Sequence, residues 1–123
     1  MLAQLSPAVF DIDHVQRLVG NDKTALHALL RELRTSNFHD LQQLRRQDQD
    51  VGALGELAHR IKGAAQIVRA QEVVYRCERL ERRCNDKTLA PVDLKMDVEA
   101  LVQAMLHLDR QLASHARCSN HTE

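Results

Sequence analysis

A histidine, a lysine and a glycine lie close together near the middle of the chain, at His59, Lys62 and Gly63. A neutral imidazole offers one unprotonated ring nitrogen as a nucleophile, and histidine is largely neutral at cytoplasmic pH. A lysine three residues further along a helix reaches the same side and offsets the negative charge of phosphoryl oxygens. The spacing therefore favours phosphoryl transfer to the imidazole of His59.

The residues around His59 separate into two faces when they are placed on a helix at about 100° per residue. One face is apolar and is predicted to be buried; it consists of Leu54, Leu57, Ala58, Ile61, Ala65 and Val68. His59 shares the exposed face with Gly55, Lys62, Gly63 and Gln66. Because glycine inside a helix costs about 0.5–1 kcal/mol relative to alanine, the two glycines predict a flat surface that another molecule approaches closely.

The second ring nitrogen of His59 needs an acceptor that fixes its tautomer and orientation. Glu81 is the best candidate, because it flanks the apolar stripe of the next helix, which an antiparallel hairpin brings back towards His59. The sequence contains no HExxH or paired ExxH motif, which argues against a di-metal carboxylate site. Magnesium can be supplied by a partner's active site, so we expect no bound metal or cofactor in this chain.

Apolar stripes along the chain predict the helices that position these residues. A short helix over about 11–19 ends at Gly20, and Asn21 is then expected to cap a long helix over 22–47 that breaks at 48–50. Further stripes follow over 51–68, 73–84 and 94–112, with a polar turn at 85–91. Short connections place successive helices antiparallel, which predicts an all-α, up-down-up-down four-helix bundle with a short extra N-terminal helix.

The ends of the chain are weakly patterned, so we expect a lead-in over 1–10, a bundle domain over 11–116 and a frayed tail over 117–123. Cys77 and Cys84 are expected to be small core residues. With Cys118 they make three cysteines without CxxC spacing, which indicates neither a disulfide framework nor a zinc knuckle and fits a reducing cytoplasm.

The composition narrows the classes of function. The 123 residues include 17 Lys+Arg and 17 Asp+Glu, and the aromatics are Phe10, Phe38 and Tyr75. A zero net charge argues against binding to nucleic acid or anionic membranes, and scarce aromatics argue against β-rich folds and base-stacking surfaces. No apolar run approaches the roughly 20 residues of a membrane span, so we expect a cytoplasmic domain, either free or part of a larger membrane-bound protein.

The stretch His59-Arg60-Ile61-Lys62-Gly63-Ala64-Ala65, followed by Cys77-Glu78-Arg79-Leu80-Glu81, resembles the histidine-containing phosphotransfer (HPt) domain of bacterial phosphorelays. The pattern of that family is H-x-[LI]-K-G-[SA]-[AS] with a later L-[EQ]. The likeness extends over about residues 10–116. It is strongest to the C-terminal module of hybrid sensor kinases of the virulence-regulator type.

The resemblance implies a role for each matching residue. His59 matches the histidine that accepts a phosphoryl group from the aspartate of a receiver domain and passes it to a response regulator. Lys62 matches the phosphate-stabilising lysine, Gly63 the small residue that admits the receiver, and Glu81 the residue that bonds the imidazole. We add Gly55, Gln66 and Arg60 to the predicted receiver-docking face. The chain would then be a phosphocarrier turned over by its partner, with no complete active site of its own.

One position departs from the family pattern, because Arg69 stands where a glycine is common before a small residue, here Ala70. The departure leaves the chemistry untouched and concerns the geometry of the helix end.

Other interpretations remain open. His59 could be an ordinary exposed histidine, and residues 54–80 faintly resemble a helix-turn-helix with a recognition helix from Arg69 onward, although the charge balance opposes this. A passive helical adaptor is the second alternative, and it leaves the glycines unexplained. The arginine run is expected to be a solvated face, with receiver docking as the alternative; it comprises Arg76, Arg79, Arg82 and Arg83.

Overall fold

A computed structural model describes residues 9–46, 50–86 and 91–121 of the chain. These ranges contain five helices and no strand, as the apolar stripes predict. The helices are α1 (Ile12–Leu18), α2 (Lys23–Leu44), α3 (Val51–Ile67), α4 (Gln71–Cys84) and α5 (Pro91–His121). Residues 48–49 of the predicted break and residues 87–90 of the predicted turn lie outside the described residues.

The four long helices form a bundle in which each helix packs against two neighbours. Helix α2 packs against α3 and α5, and α4 packs against the same two helices. Apolar side chains from every helix meet inside, and the largest fully buried ones include Leu30, Leu80, Leu101, Met105 and Leu112. This arrangement confirms the predicted all-α four-helix bundle. It also places the α3/α4 edge and the α2/α5 edge on opposite sides of the molecule.

Aspartates at the helix starts fix where three of the helices begin. The side chain of Asp11 caps α1, Asp22 caps α2 and Asp50 caps α3, each by accepting hydrogen bonds from backbone N–H groups of the first turn. The prediction that Asn21 caps α2 is wrong. Asn21 has a φ of 61° and, with Gly20, terminates α1, since its N–H donates to the carbonyl of Gln16.

Ordered structure extends past both predicted domain limits, which themselves stay predictions. Phe10, assigned to the lead-in, is buried and its ring contacts that of His115 edge-to-face, with 5.2 Å between the ring centroids. The tail predicted to fray from 117 is instead helical to His121, because helix propagation adds one hydrogen bond per residue and no glycine or proline interrupts it. Residues 1–8 and 122–123 lie outside the described residues.

The turn between α3 and α4 explains the departure from the family pattern. Arg69 has a φ of 57°. Its N–H donates to the carbonyl of Gln66, and the N–H of Ala70 donates to the carbonyl of Ala65. These two bonds form a Schellman motif, whose left-handed position favours glycine. Arg69 adopts this conformation and also forms an ion pair of 3.2 Å with Asp11, which joins the turn to α1.

The arginine run of α4 is only partly the solvated face that the sequence predicts. Arg79 and Arg83 form ion pairs of 3.2 and 2.7 Å with the buried Asp97, which joins α4 to α5. Arg76 pairs within its own helix with Glu72. Two members of the run therefore stabilise the bundle.

In the described part of the chain no helix is long and apolar enough to cross a membrane.

Candidate functional site

Helix α3 presents His59 to solvent because its apolar residues anchor the opposite side. All six positions of the predicted buried face are buried. The side chain of His59 is 74% exposed. The periodicity of α3 therefore orients the imidazole outward, as the sequence predicts.

Glu81 on α4 reaches the imidazole across the α3/α4 edge. Its Oε2 lies 2.9 Å from Nδ1 of His59. An ionised carboxylate only accepts hydrogen bonds, so Nδ1 must carry the proton and donate. The remaining nitrogen, Nε2, then has a free lone pair. The contact expected between Glu81 and the imidazole is therefore present in the structure, and it selects the tautomer.

Lys62 contacts the other oxygen of the same carboxylate, with its Nζ 2.8 Å from Oε1 of Glu81. Partial burial alone would raise the pKa of Glu81, but the hydrogen bonds from Lys62 and His59 outweigh burial and lower that pKa. The hydrogen bond to Glu81 in turn raises the pKa of Lys62. Glu81 is thus held ionised and Lys62 protonated, with the carboxylate placed between the lysine and the imidazole.

The two glycines of α3 differ in their surroundings. A Cβ added at Gly63 would meet no atom of the described residues within 4 Å, whereas one added at Gly55 would lie 3.4 Å from Cβ of Cys84. Gly55 is partly buried and lies close to α4, so it is less exposed than predicted, and its role in docking stays a prediction. Nothing inside the bundle requires glycine at Gly63, so its flat surface is open to a partner.

The other two predicted docking residues point in different directions. Gln66 is exposed on the same side of α3 as His59. Arg60 lies on the flank facing α2, where its guanidinium forms an ion pair of 2.7 Å with the buried Asp40, although its side chain is 64% exposed. Their roles in docking stay predictions.

The structure adds two features that the sequence interpretation missed. Ile67, at the end of α3, is 53% exposed, and its helical angle close to that of Gly63 could have revealed it. Cys84, predicted to be a core residue, packs against the core but is only partly buried, and the structure adds that it lines a groove beside His59 with Val51 and Gly55. Cys77 is buried as predicted, and burial raises its pKa to about 12, so it stays a protonated thiol. The side chain of Cys118 lies outside the described part.

The described residues contain no group of three or more histidine, cysteine, aspartate or glutamate side chains arranged to hold a metal ion. The carboxylate of Glu81 joins the imidazole of His59 to the ammonium of Lys62, and Glu56 lines the groove beside them. The ammonium of Lys62 can donate to a negatively charged group that approaches the free Nε2.

Comparison with known proteins gives a family and three relatives. The Hpt domain model matches residues 25–112. The virulence sensor protein BvgS of Bordetella bronchiseptica is 28% identical over 109 residues, and those of Bordetella parapertussis and Bordetella pertussis are 27% and 26% identical. Each alignment covers 87% of this chain and 9% of the relative, so the chain spans only a small part of their length. No solved structure gives a significant match.

Proposed function

The chain belongs to the Hpt domain family, and from this premise we propose that His59 carries a phosphoryl group between receiver domains in a two-component phosphorelay. The observation that carries the proposal is the exposed imidazole whose Nδ1 donates to Glu81, because this leaves Nε2 as the nucleophile. Family membership favours this function over the helix-turn-helix and passive-adaptor interpretations, since the match spans both segments of the motif.

In the proposed reaction, the Nε2 lone pair attacks the phosphorus of a receiver's aspartyl phosphate. The N–P bond forms while the P–O bond to the aspartate breaks, and the electron pair leaves with the carboxylate. The proton stays on Nδ1 throughout. The ring therefore becomes positively charged, and the carboxylate of Glu81 at 2.9 Å stabilises that charge. The reverse attack by a second aspartate returns the imidazole to its neutral form.

Lys62 has two tasks in this proposal. It neutralises Glu81, so the phosphoryl oxygens do not meet an uncompensated negative charge beside His59. An ammonium group has three N–H donors, so Lys62 can hold Glu81 and still donate to a phosphoryl oxygen. Magnesium would be held by the receiver, which makes the partner supply the rest of the active site.

We also propose that Gly63, Gln66 and Ile67 form the surface on which the receiver rests, since all three are exposed along α3 beyond His59. The direct partners would be receiver domains. The chain would act as a phosphorylated intermediate, as one module of a longer sensor protein on the cytoplasmic side of a membrane.

The test is transfer from a receiver domain labelled with radioactive phosphate, in the presence of magnesium. The wild-type chain should acquire a label that is labile to acid and stable to base. His59→Gln should acquire none while keeping its helical circular dichroism, because the exposed side chain contributes little to packing. His107→Gln is the matched control, since His107 is also an exposed histidine, on α5.

Equal labelling of wild type and His59→Gln would contradict the proposal. So would loss of label in His107→Gln with retention in His59→Gln. Specific retention of duplex DNA by the unphosphorylated chain at physiological salt would instead favour the helix-turn-helix alternative.

A further inference from the structure

A long groove runs between α2 and α5, on the edge of the bundle opposite the one that carries His59. Its volume is about 650 Å³. Along α2 and its C-cap residue it extends from His27 to Arg45, which corresponds to about 27 Å at the rise of an α-helix. Along α5 it extends from Leu106 to Arg117. The phosphotransfer chemistry described above uses none of these residues.

The groove has an apolar lining and an exposed aromatic ring. Leu41, Leu106 and Ala116 contribute apolar surface, and all three belong to or pack against the bundle core. Phe38 projects from α2 with 57% of its surface exposed. The exposed ring lines the same groove as the apolar side chains, and apolar surface collected in a groove is typical of a surface that a second molecule covers.

The charged side chains around the groove are mostly positive, although the formal net charge of the whole chain is zero. Four arginines line it, at Arg31, Arg34, Arg45 and Arg117, against a single carboxylate, Asp109. Arg34 and Asp109 form a bidentate ion pair, in which Nε lies 3.0 Å from Oδ1 and Nη2 lies 3.3 Å from Oδ2. The other three arginines have no charged partner among the described residues. Three positive charges are therefore available to an occupant.

We propose that this groove binds an acidic amphipathic helix of a partner protein. Arg31 and Arg45 are separated by about 21 Å along α2, so a compact anion would contact only one of them. A helix of about 18 residues matches the length of the groove. Its apolar stripe would cover Phe38 and the apolar lining, while carboxylates beside the stripe would pair with the free arginines.

The position of the groove gives the proposal a functional consequence. Because the α2/α5 and α3/α4 edges lie on opposite sides of the bundle, a helix bound in the groove leaves His59 accessible. A partner could then remain bound to this domain while successive receivers dock at His59. The inference goes beyond phosphotransfer and does not depend on it.

The first experiment uses a fluorescein-labelled peptide of about 18 residues with leucines at i, i+3, i+4 and i+7 spacing and glutamates at the remaining positions. A control peptide carries lysines in place of the glutamates. Fluorescence anisotropy with the full 123-residue chain should show saturable binding of the acidic peptide alone. Its affinity should fall by about tenfold when salt rises from about 50 mM to about 500 mM.

Variants then locate the binding surface. The double variant Arg31→Glu with Arg45→Glu should weaken peptide binding by at least about tenfold, and Phe38→Ala by about fivefold. Arg82→Glu is the matched control, since Arg82 is an exposed arginine on α4 outside the groove, and it should bind the peptide as wild type does. All three should keep wild-type circular dichroism. The double variant should also keep normal labelling of His59, which separates this proposal from the phosphotransfer proposal.

Three results would overturn the inference. The first is equal affinity for the acidic and basic peptides, or no saturable binding of either. The second is wild-type binding by the folded double variant. The third is a different occupant of the groove. Self-association of the free chain that Phe38→Ala abolishes would indicate a second copy of the chain, and tighter binding of a short DNA duplex than of the acidic peptide would indicate nucleic acid.

Discussion

Two carboxylates in this bundle each join a pair of basic side chains on a neighbouring helix. Glu81 on α4 contacts His59 and Lys62 of α3 at 2.9 and 2.8 Å. Asp97 on α5 contacts Arg79 and Arg83 of α4 at 3.2 and 2.7 Å. In both cases the two basic residues are about one helical turn apart, so they reach the same carboxylate from one side.

The two arrangements differ in what the basic partners can do. A guanidinium is permanently charged and has no lone pair to offer, so the interactions of Asp97, itself only 8% exposed, hold α4 against α5. An imidazole that donates from Nδ1 keeps a lone pair on Nε2, and His59 is 74% exposed. The ion pairs of Asp97 therefore stabilise the packing of two helices, whereas the similar contacts of Glu81 prepare the imidazole of His59 for a reaction.

The largest effect is expected when the Glu81 arrangement is converted to the Asp97 type. His59→Arg should keep an ion pair with Glu81 but remove the nucleophile, so labelling by a phosphorylated receiver should fall below detection. The free energy of unfolding should change by less than about 0.5 kcal/mol, since the position is exposed. Labelling assays and urea denaturation measure the two quantities. Residual label on this variant would mean that another residue accepts the phosphoryl group.

Access to the imidazole can be removed without disturbing Glu81. The Cβ of Gly63→Leu would lie in open space, so the variant should not destabilise the bundle and should gain up to about 1 kcal/mol of helix propensity. Transfer from the receiver should nevertheless slow by about a hundredfold, because close approach is blocked. Gly63→Ala is the smaller control. Normal transfer rates in Gly63→Leu would refute the role of Gly63 in receiver approach.

At the structural carboxylate, the effect should be on stability alone. Asp97→Asn removes the charge from two ion pairs at a buried position, and the free energy of unfolding should fall by about 2 kcal/mol. The initial rate of His59 labelling should be unchanged under conditions where the variant is folded. A large loss of transfer in the folded variant would show that Asp97 also positions the site through α4.

Glu81→Gln tests the charge of the other carboxylate while keeping an oxygen that can accept from Nδ1. Transfer should slow by about tenfold, because the charged phosphohistidine ring loses its counter-charge. The lowered pKa of Glu81 determines how the stability depends on pH. The ionised carboxylate stabilises the fold at pH values above the ordinary glutamate pKa, and this stabilisation is lost as pH falls through the lowered pKa. The stability difference between wild type and Glu81→Gln should therefore vanish in acid, and a constant difference would contradict this.

The smallest effect is expected at the turn that positions α4, and hence Glu81, beside α3. Arg69→Gly replaces a side chain held in the left-handed conformation by glycine, which adopts that conformation without strain. The free energy of unfolding should therefore rise by about 1 kcal/mol. Arg69→Ala is the matched control, since it removes the ion pair with Asp11 but keeps the strained φ. Equal urea midpoints for the two variants would contradict the strain argument.

Much of the fold and part of the site could be predicted because they depend on periodicity along single helices. The apolar spacing of α3 predicts its buried face, and the same spacing places His59 outward. Contacts with a neighbouring helix could not be predicted in this way. Gly55 meets Cys84 of α4, and Arg60 reaches Asp40 of α2. Neither contact has a signal in the local sequence.

The sequence by itself determined the helices, the buried face of α3 and the His-Lys-Gly constellation, because each follows from residue type and a spacing of a few residues. Tertiary structure decided the tautomer of His59, since only the packing of α4 against α3 brings Glu81 to Nδ1. It also decided that charges summing to zero along the chain gather into a basic groove between α2 and α5. Residues far apart in sequence become neighbours only when helices pack, and both features depend on such neighbours.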